Sequence, residues 1–121
     1  NLNHLGTSLG HANVYCARFQ MWHPHGGCST RNGLRRVLNT RIENWEGHMH
    51  VLLMGHLHRH VSINAFPEGV LGIACATFQS KGSEFSNRIS SPWDVGGQIV
   101  SYTVKKDLTP CEFSVQFYPC P

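Results

Sequence analysis

Aspartate is scarce in this chain, which contains only Asp94 and Asp107 among its 121 residues. A centre that holds two divalent ions needs carboxylates to bridge them, so the sequence alone does not supply a complete site of that kind. Histidine, in contrast, is abundant, with nine residues. Because neutral imidazole is the commonest protein ligand of transition metals, this balance favours a metal site built on nitrogen ligands.

Long apolar runs and concentrated charge are also missing. No apolar stretch approaches the roughly 20 residues of a membrane-spanning helix, and the start of the chain shows no signal-peptide pattern. We therefore expect a soluble chain with no membrane partner. The formal net charge of +3 comes from scattered basic residues, so a polyanionic partner is permitted but not indicated.

The cysteines show no metal-binding pattern. There are five of them and no CxxC pair, which argues against a zinc finger or a thioredoxin-like motif. An odd, unpatterned count favours reduced thiols and a cytoplasmic location, with a Cys111–Cys120 bridge as the alternative. Residues 1–12 show no periodicity and no initiator methionine, so we interpret residues 1–121 as a single domain or a fragment of a longer protein.

The most informative stretch is residues 50–60, HVLLMGHLHRH. The apolar run Val51–Met54 predicts a short strand that is buried on both faces. It is followed by Gly55, His56, Leu57 and His58. Side chains two apart in an extended segment project on the same side. We therefore expect His56 and His58 to face one point at the carboxyl end of the strand, where α/β folds place ligands.

A second pair of histidines lies upstream. Residues 13–22 are rich in β-formers and predict a strand that runs into the sequence WHPHGGCST. The loop after it contains His23, His25, Gly26 and Gly27, and such glycine-rich loops bring main-chain amides close to an anion. Either His23 or His25 could be a metal ligand. Gly26, Gly27 and Arg31 are candidate contacts to a substrate phosphate.

A packing helix is predicted for residues 30–45. Its apolar positions are spaced by three and four and form one stripe: Leu34, Val37, Leu38, Ile42 and Trp45. His48 and His50 precede the buried strand, so we predict that they lie at the opposite end of the sheet from His56 and His58. The remaining chain predicts strands at residues 61–64 and 70–78, a long polar loop at 79–94, and a hairpin of residues 98–104 and 112–118.

This order of elements, a strand ending in histidine, a glycine-rich loop, a helix and a strand ending in Gly-His-x-His, resembles the second half of the calcineurin-like metallophosphoesterases. It is most similar to their small phage and bacterial branch, in which the first motif reads HGxGGx(S/R)T. The resemblance implies an α/β (α+β) fold, mostly β with one main helix, that forms the C-terminal half of an α/β/β/α sandwich.

The resemblance also implies an activity and its cofactors. Two divalent ions (Mn, Fe or Zn) would serve a hydrolase, either a phosphatase or a nuclease, that acts on a phosphate ester, possibly a nucleotide or a nucleic acid. His23 (or His25) and His56 would bind one ion and His58 the other. The catalytic general acid and the bridging aspartate are not in this chain, because the family's Asp-x-His, Gly-Asp-x-x-Asp and Gly-Asn-His motifs are absent.

Two explanations of that absence remain open. The chain is either the carboxyl-terminal part of a protein whose N-terminal half, or another chain, supplies the missing ligands, or it is a degenerate relative. Two other functions also remain open. His23, His25, His56 and His58 could form a closed four-ligand site for one structural zinc ion, or the chain could be a module that binds nucleic acid or protein.

Overall fold

The computed structural model describes residues 2–4, 9–24, 30–65, 67–77 and 94–120, the first of these by their backbone alone. This part of the chain is mixed α+β and mostly strand, with one helix, as the sequence predicted. The elements are, in chain order, β1 (Leu2–His4), β2 (Leu9–Val14), β3 (Ala17–Trp22), α1 (Arg31–Glu43), β4 (Val51–Met54), β5 (Val61–Ala65), β6 (Val70–Ala74), β7 (Gly96–Val104) and β8 (Pro110–Pro119).

Six strands form one sheet in the order β1-β2-β3-β4-β6-β5, and β7 and β8 form a separate hairpin. The pairs β3–β4 and β4–β6 are parallel, whereas all other neighbours in the large sheet are antiparallel. Trp22 lies opposite Met54, and Met54 lies opposite Ala74. Strands β3, β4 and β6 therefore end side by side, at what we term the carboxyl edge of the sheet.

The prediction of one strand over residues 13–22 is wrong, because those residues belong to the hairpin of β2 and β3. Tyr15 and Cys16 form its turn, and Tyr15 has a φ of 54°. Two-residue hairpin turns with positive φ ordinarily contain glycine, asparagine or aspartate. Tyrosine and cysteine give no such signal, so the β-forming composition continues through the turn.

Helix α1 is defined by caps at both ends. At its start, the Thr30 hydroxyl accepts a hydrogen bond from the Gly33 N–H (3.1 Å), which satisfies one of the unpaired donors of the first turn. At its end, the side chain of Asn44 donates to the Thr40 carbonyl (2.9 Å), and the helix ends at Glu43, within the predicted range of residues 30–45. Its buried face consists of Leu34, Leu38 and Ile42.

The large sheet is covered on both faces, and β4 lies at its centre. Leu52 and Met54 of β4 pack in the cluster that includes the buried face of α1. Val51 belongs to the opposite cluster, against which Val100 and Phe113 of the β7–β8 hairpin pack. Burial of each such side chain stabilises the fold by about 1.5–3 kcal/mol. The strand predicted to be buried on both faces is confirmed, and it provides a rigid base for the residues that follow it.

Among the described residues, no helix has both the length and the apolar character needed to cross a membrane. The four cysteines in the described ranges, Cys16, Cys75, Cys111 and Cys120, are free thiols, so the alternative bridge between Cys111 and Cys120 is not formed.

Candidate functional site

The parallel pairing of β3 and β4 places His23 beside the residues that follow β4. We name residues 55–60 the histidine loop. Its first residue, Gly55, donates its N–H to the carbonyl of Trp22 (3.0 Å), which ties the loop to the end of β3. The rings of His23 and His56 lie with their centroids 4.5 Å apart and their planes tilted by 56°. Two histidines that are distant in sequence thus meet at the carboxyl edge.

Two histidines of this loop have an unusual backbone conformation. The φ angle is 84° at His56 and 56° at His58. Residues with a Cβ in this left-handed region cost of order 1–3 kcal/mol each, and such residues concentrate at functional sites. Gly55 does not provide the unusual conformation of the loop, because its φ is not positive and a Cβ at that position would meet no atom within 4 Å. The strain is carried by the histidines.

His58 is electrostatically coupled to both other histidines of the site. The pKa of His58 is lowered, first because the ring is partly buried and then because of the positive charges that His56 and His23 would carry. Burial and like charge both disfavour the imidazolium form. His58 is therefore held as the neutral imidazole, the form that binds metals.

Asp94 lies directly behind the histidine loop. Its carboxylate accepts the N–H of His60 (2.8 Å) and the Nη2–H of Arg31 (3.1 Å), and Arg59 Nε lies 4.0 Å away. Its main-chain N–H donates to the carbonyl of His58 (2.8 Å). Arg31, predicted as a phosphate contact, therefore forms an ion pair with Asp94, but its side chain is still 48% exposed.

His60 is partly buried and lies directly before β5. Its ring stacks on Phe117 with centroids 4.9 Å apart, and its Nδ1 lies 2.8 Å from Gln98 Nε2. Gln98 is oriented by its hydrogen bonds to the Ala74 carbonyl and the Ala76 N–H. Its Nε2 must therefore donate, and His60 Nδ1 must accept. Burial lowers the pKa of His60, in agreement with a neutral ring.

His48 and His50 lie at the amino end of β4, as predicted, away from the other histidines. His50 Nδ1 accepts the N–H of Arg18 (2.9 Å), and His50 Nε2 lies 3.0 Å from His48 Nε2. Because Nδ1 is an acceptor, the proton of the neutral ring must be on Nε2, which donates it to His48. Neither nitrogen of His50 then has a lone pair free for a metal.

The described residues do not by themselves form a complete metal site. His25, Gly26 and Gly27 lie outside them, so the choice between His23 and His25 and the four-histidine zinc site stay predictions. Within the described ranges, no group of three or more His, Cys, Asp or Glu side chains is arranged to hold a metal ion. His23, His56 and His58 therefore do not enclose an ion by themselves.

Sequence reasoning missed Asp94 and Gln98. Asp94 is visible as one of only two aspartates, but its partner Arg31 is 63 positions away. No local pattern links such residues. The site therefore combines two histidine motifs that were recognisable in the sequence with a supporting carboxylate and amide that were not.

Comparison of the chain with protein-family models, with curated proteins and with solved structures finds no match. The geometry of the carboxyl edge and the order of the histidine motifs are therefore the features of the chain that bear on its function.

Proposed function

We propose that this chain supplies the histidine ligands of a divalent-metal centre that hydrolyses phosphate esters, as in the calcineurin-like metallophosphoesterases. The observation that carries the proposal is the meeting of two separate motifs at one place. The loop after β3 and the loop after β4 bring His23 into ring contact with His56, and the charges of both residues act on His58. A sheet with antiparallel β3 and β4 would put them at opposite edges.

The exposure of the three histidine rings and the backbone conformation of two of these residues support the proposal. His23 and His56 are exposed, so an ion and a substrate have access to them, whereas His58 is partly buried. The left-handed backbone at His56 and His58 is a strained conformation that the fold retains, as expected where side-chain placement has a use.

The layering of the chain is consistent with the proposed fold family. One helix covers one face of the large sheet, and a second, two-stranded sheet covers the other. A helix, a sheet and a second sheet are three of the four layers of an α/β/β/α sandwich. We propose that the chain forms the carboxyl-terminal half of such a domain.

The carboxylate that a two-metal centre requires does not come from the described residues. Asp94 is the only aspartate near the carboxyl edge among them, and it is paired with Arg31 and the His60 N–H. We therefore expect the bridging carboxylate and the acid that assists the leaving group to come from another part of a longer protein or from another chain. The 121 residues alone should show at most trace turnover.

The test compares His56→Ala with His48→Ala in a protein that includes the upstream ligands. Hydrolysis of an aryl phosphate monoester and diester is measured with Mn²⁺, Zn²⁺ or Fe²⁺. We expect His56→Ala to lower kcat by at least about 100-fold, because a metal ligand does more than the supporting residues whose loss costs 10–100-fold, and His48→Ala to change it less than twofold.

Equal rates in the two variants would reject the proposal. One tightly bound zinc ion per chain with no hydrolysis would instead favour the structural zinc site. Unchanged nucleic-acid or protein binding in a chain lacking both His56 and His58, again with no hydrolysis, would favour an interaction module.

A further inference from the structure

We propose that Asp94 is the positioning residue of the histidine loop and that it holds His56 and His58 in their left-handed backbone conformation. The use of that conformation rests on the proposed function. The conformation itself does not, and it can be tested in the absence of metal.

Two hydrogen bonds of equal length join Asp94 to the residues on either side of Arg59. Its main-chain N–H donates to the His58 carbonyl (2.8 Å), and its Oδ2 accepts the His60 N–H (2.8 Å). These bonds fix the peptide groups on both sides of Arg59, directly after the strained residue His58. A strained residue persists only when its surroundings over-determine it. At its other end the loop is fixed by the bond from Gly55 to the Trp22 carbonyl.

Asp94 can act as a fixed reference because it is itself held by two other elements. Arg31, the first residue of α1, donates through Nη2 to both carboxylate oxygens, at 3.1 and 3.2 Å. The Thr77 N–H, beyond the end of β6, donates to the Asp94 carbonyl (3.0 Å), and the Gly96 N–H donates to the Thr77 carbonyl (2.9 Å). The position of the histidine loop is therefore tied to the helix and to the neighbouring parallel strand.

The negative charge of Asp94 has a role separate from that of its hydrogen bond to the His60 N–H. Arg31 and Arg59 both approach the carboxylate, and hydrogen bonds between ionised partners are shorter and stronger than neutral ones. Asparagine at this position could still accept the His60 N–H but would lose the ion pairs. Comparison of Asp94→Asn with Asp94→Ala therefore separates the effect of charge from that of the hydrogen bond.

The chain contains a matched control, since Asp107 is its only other aspartate. Asp107 is exposed in the β7–β8 turn and accepts the nearby Thr109 N–H (3.1 Å). In metal-free protein, Asp94→Ala should speed amide hydrogen exchange at His60 by roughly 10- to 100-fold, the factor that corresponds to a hydrogen bond to a charged group. It should also shift the His56 and His58 amide resonances. Asp107→Ala should leave these signals unchanged.

A second measurement links the loop to its proposed use. The zinc affinity of a protein that includes the upstream ligands is determined by competition with a chromophoric chelator, at a temperature where every variant is folded. Asp94→Asn should weaken zinc binding roughly 10- to 100-fold, as supporting residues of metal sites do, Asp94→Glu should recover part of the loss, and Asp107→Asn should change it less than twofold. A purely structural role would lower the thermal midpoint without changing affinity.

Unchanged loop resonances and an unchanged His60 exchange rate in folded Asp94→Ala would overturn the inference. If that variant does not fold, Arg31→Met is compared with Arg35→Met, an exposed arginine on the same helix, and equal loop spectra would overturn it. Failure of a protein that includes the upstream ligands to bind zinc would count against the proposed function alone, because the amide measurements test the role of Asp94 independently.

Discussion

Two Gly-His-x-His sequences flank β4, at residues 47–50 and 55–58, and they share their spacing but not their structure. In the first, Gly47 has a φ of 118° and the histidines have no positive φ. In the second the pattern is reversed, because Gly55 is ordinary while His56 and His58 are left-handed. The first motif has its positive φ at the glycine, whereas the second has it at the histidines that we propose as metal ligands.

The hydrogen bonds of the two motifs differ in the same way. The ring nitrogens of His50 are occupied by Arg18 and His48, whereas His56 faces His23, a residue from another strand end. The difference follows from strand direction, since one motif precedes β4 and the other follows it. A short histidine motif can therefore be interpreted only together with the edge of the sheet at which it lies.

The largest expected difference between the motifs is in metal affinity. The double change His56→Ala and His58→Ala should weaken zinc or manganese binding by at least about 100-fold, more than the loss of a supporting residue. The matched double change at His48 and His50 should alter it less than twofold. Isothermal titration provides the measurement, and a larger loss from the His48 and His50 variant would reverse our assignment of the two motifs.

Substitutions in the two motifs should also change the free energy of unfolding in opposite directions. His50→Ala leaves the Arg18 N–H without its acceptor and removes the stacking on Phe113, so the free energy of unfolding should fall by about 1–3 kcal/mol. His56→Gly should raise it by up to about 1 kcal/mol, because glycine adopts positive φ without a Cβ clash. Urea denaturation measures both, and a destabilised His56→Gly would show that the loop is not strained.

A smaller difference is expected at the two glycines. Gly47→Ala places a Cβ on a backbone with a φ of 118° and should lower the free energy of unfolding by about 1–2 kcal/mol. Gly55→Ala adds a methyl group to open space and should change it by less than about 0.5 kcal/mol. The same urea titrations measure these effects. Equal losses of unfolding free energy in the two variants would contradict the inference that the backbone needs glycine at position 47 but not at position 55.

The smallest effect concerns pH, and here the motifs should act alike. The folded-state pKa values of His50 and His58 are both lowered from 6.5, mainly by burial, so the unfolded chain binds more protons near and below that pH. Their contribution to stability is complete above pH 6.5 and declines as the pH falls toward the folded-state values.

Urea midpoints at pH 8.0, 6.5 and 5.0 would measure that decline. His50→Asn and His58→Asn should each flatten the dependence, and by independent amounts because the two rings lie at opposite ends of β4. Flattening by His50→Asn alone would show that His58 is protonated as readily as in the unfolded chain.

Local patterns were sufficient to predict β4, α1 and the positions of both histidine motifs. Two apolar patterns can be recognised in the sequence because buried positions are occupied by apolar residues. They are the stripe of Leu34, Leu38 and Ile42 and the run Val51–Met54, which is buried on both faces. The turn at Tyr15 was missed because its residues carry no turn signal. Asp94 was missed because its role depends on contacts that no sequence spacing encodes.

The crossover from β3 through α1 to β4 has a kinetic consequence. Phe19 and Val51 are paired neighbours, as are Trp22 and Met54, so β3 and β4 must pair before His23 and His56 can meet. Pairings between distant segments form late and slowly. A ligand that binds across the ends of these two strands would have no binding site in an incompletely folded chain. It should therefore slow unfolding and have little effect on the rate of folding.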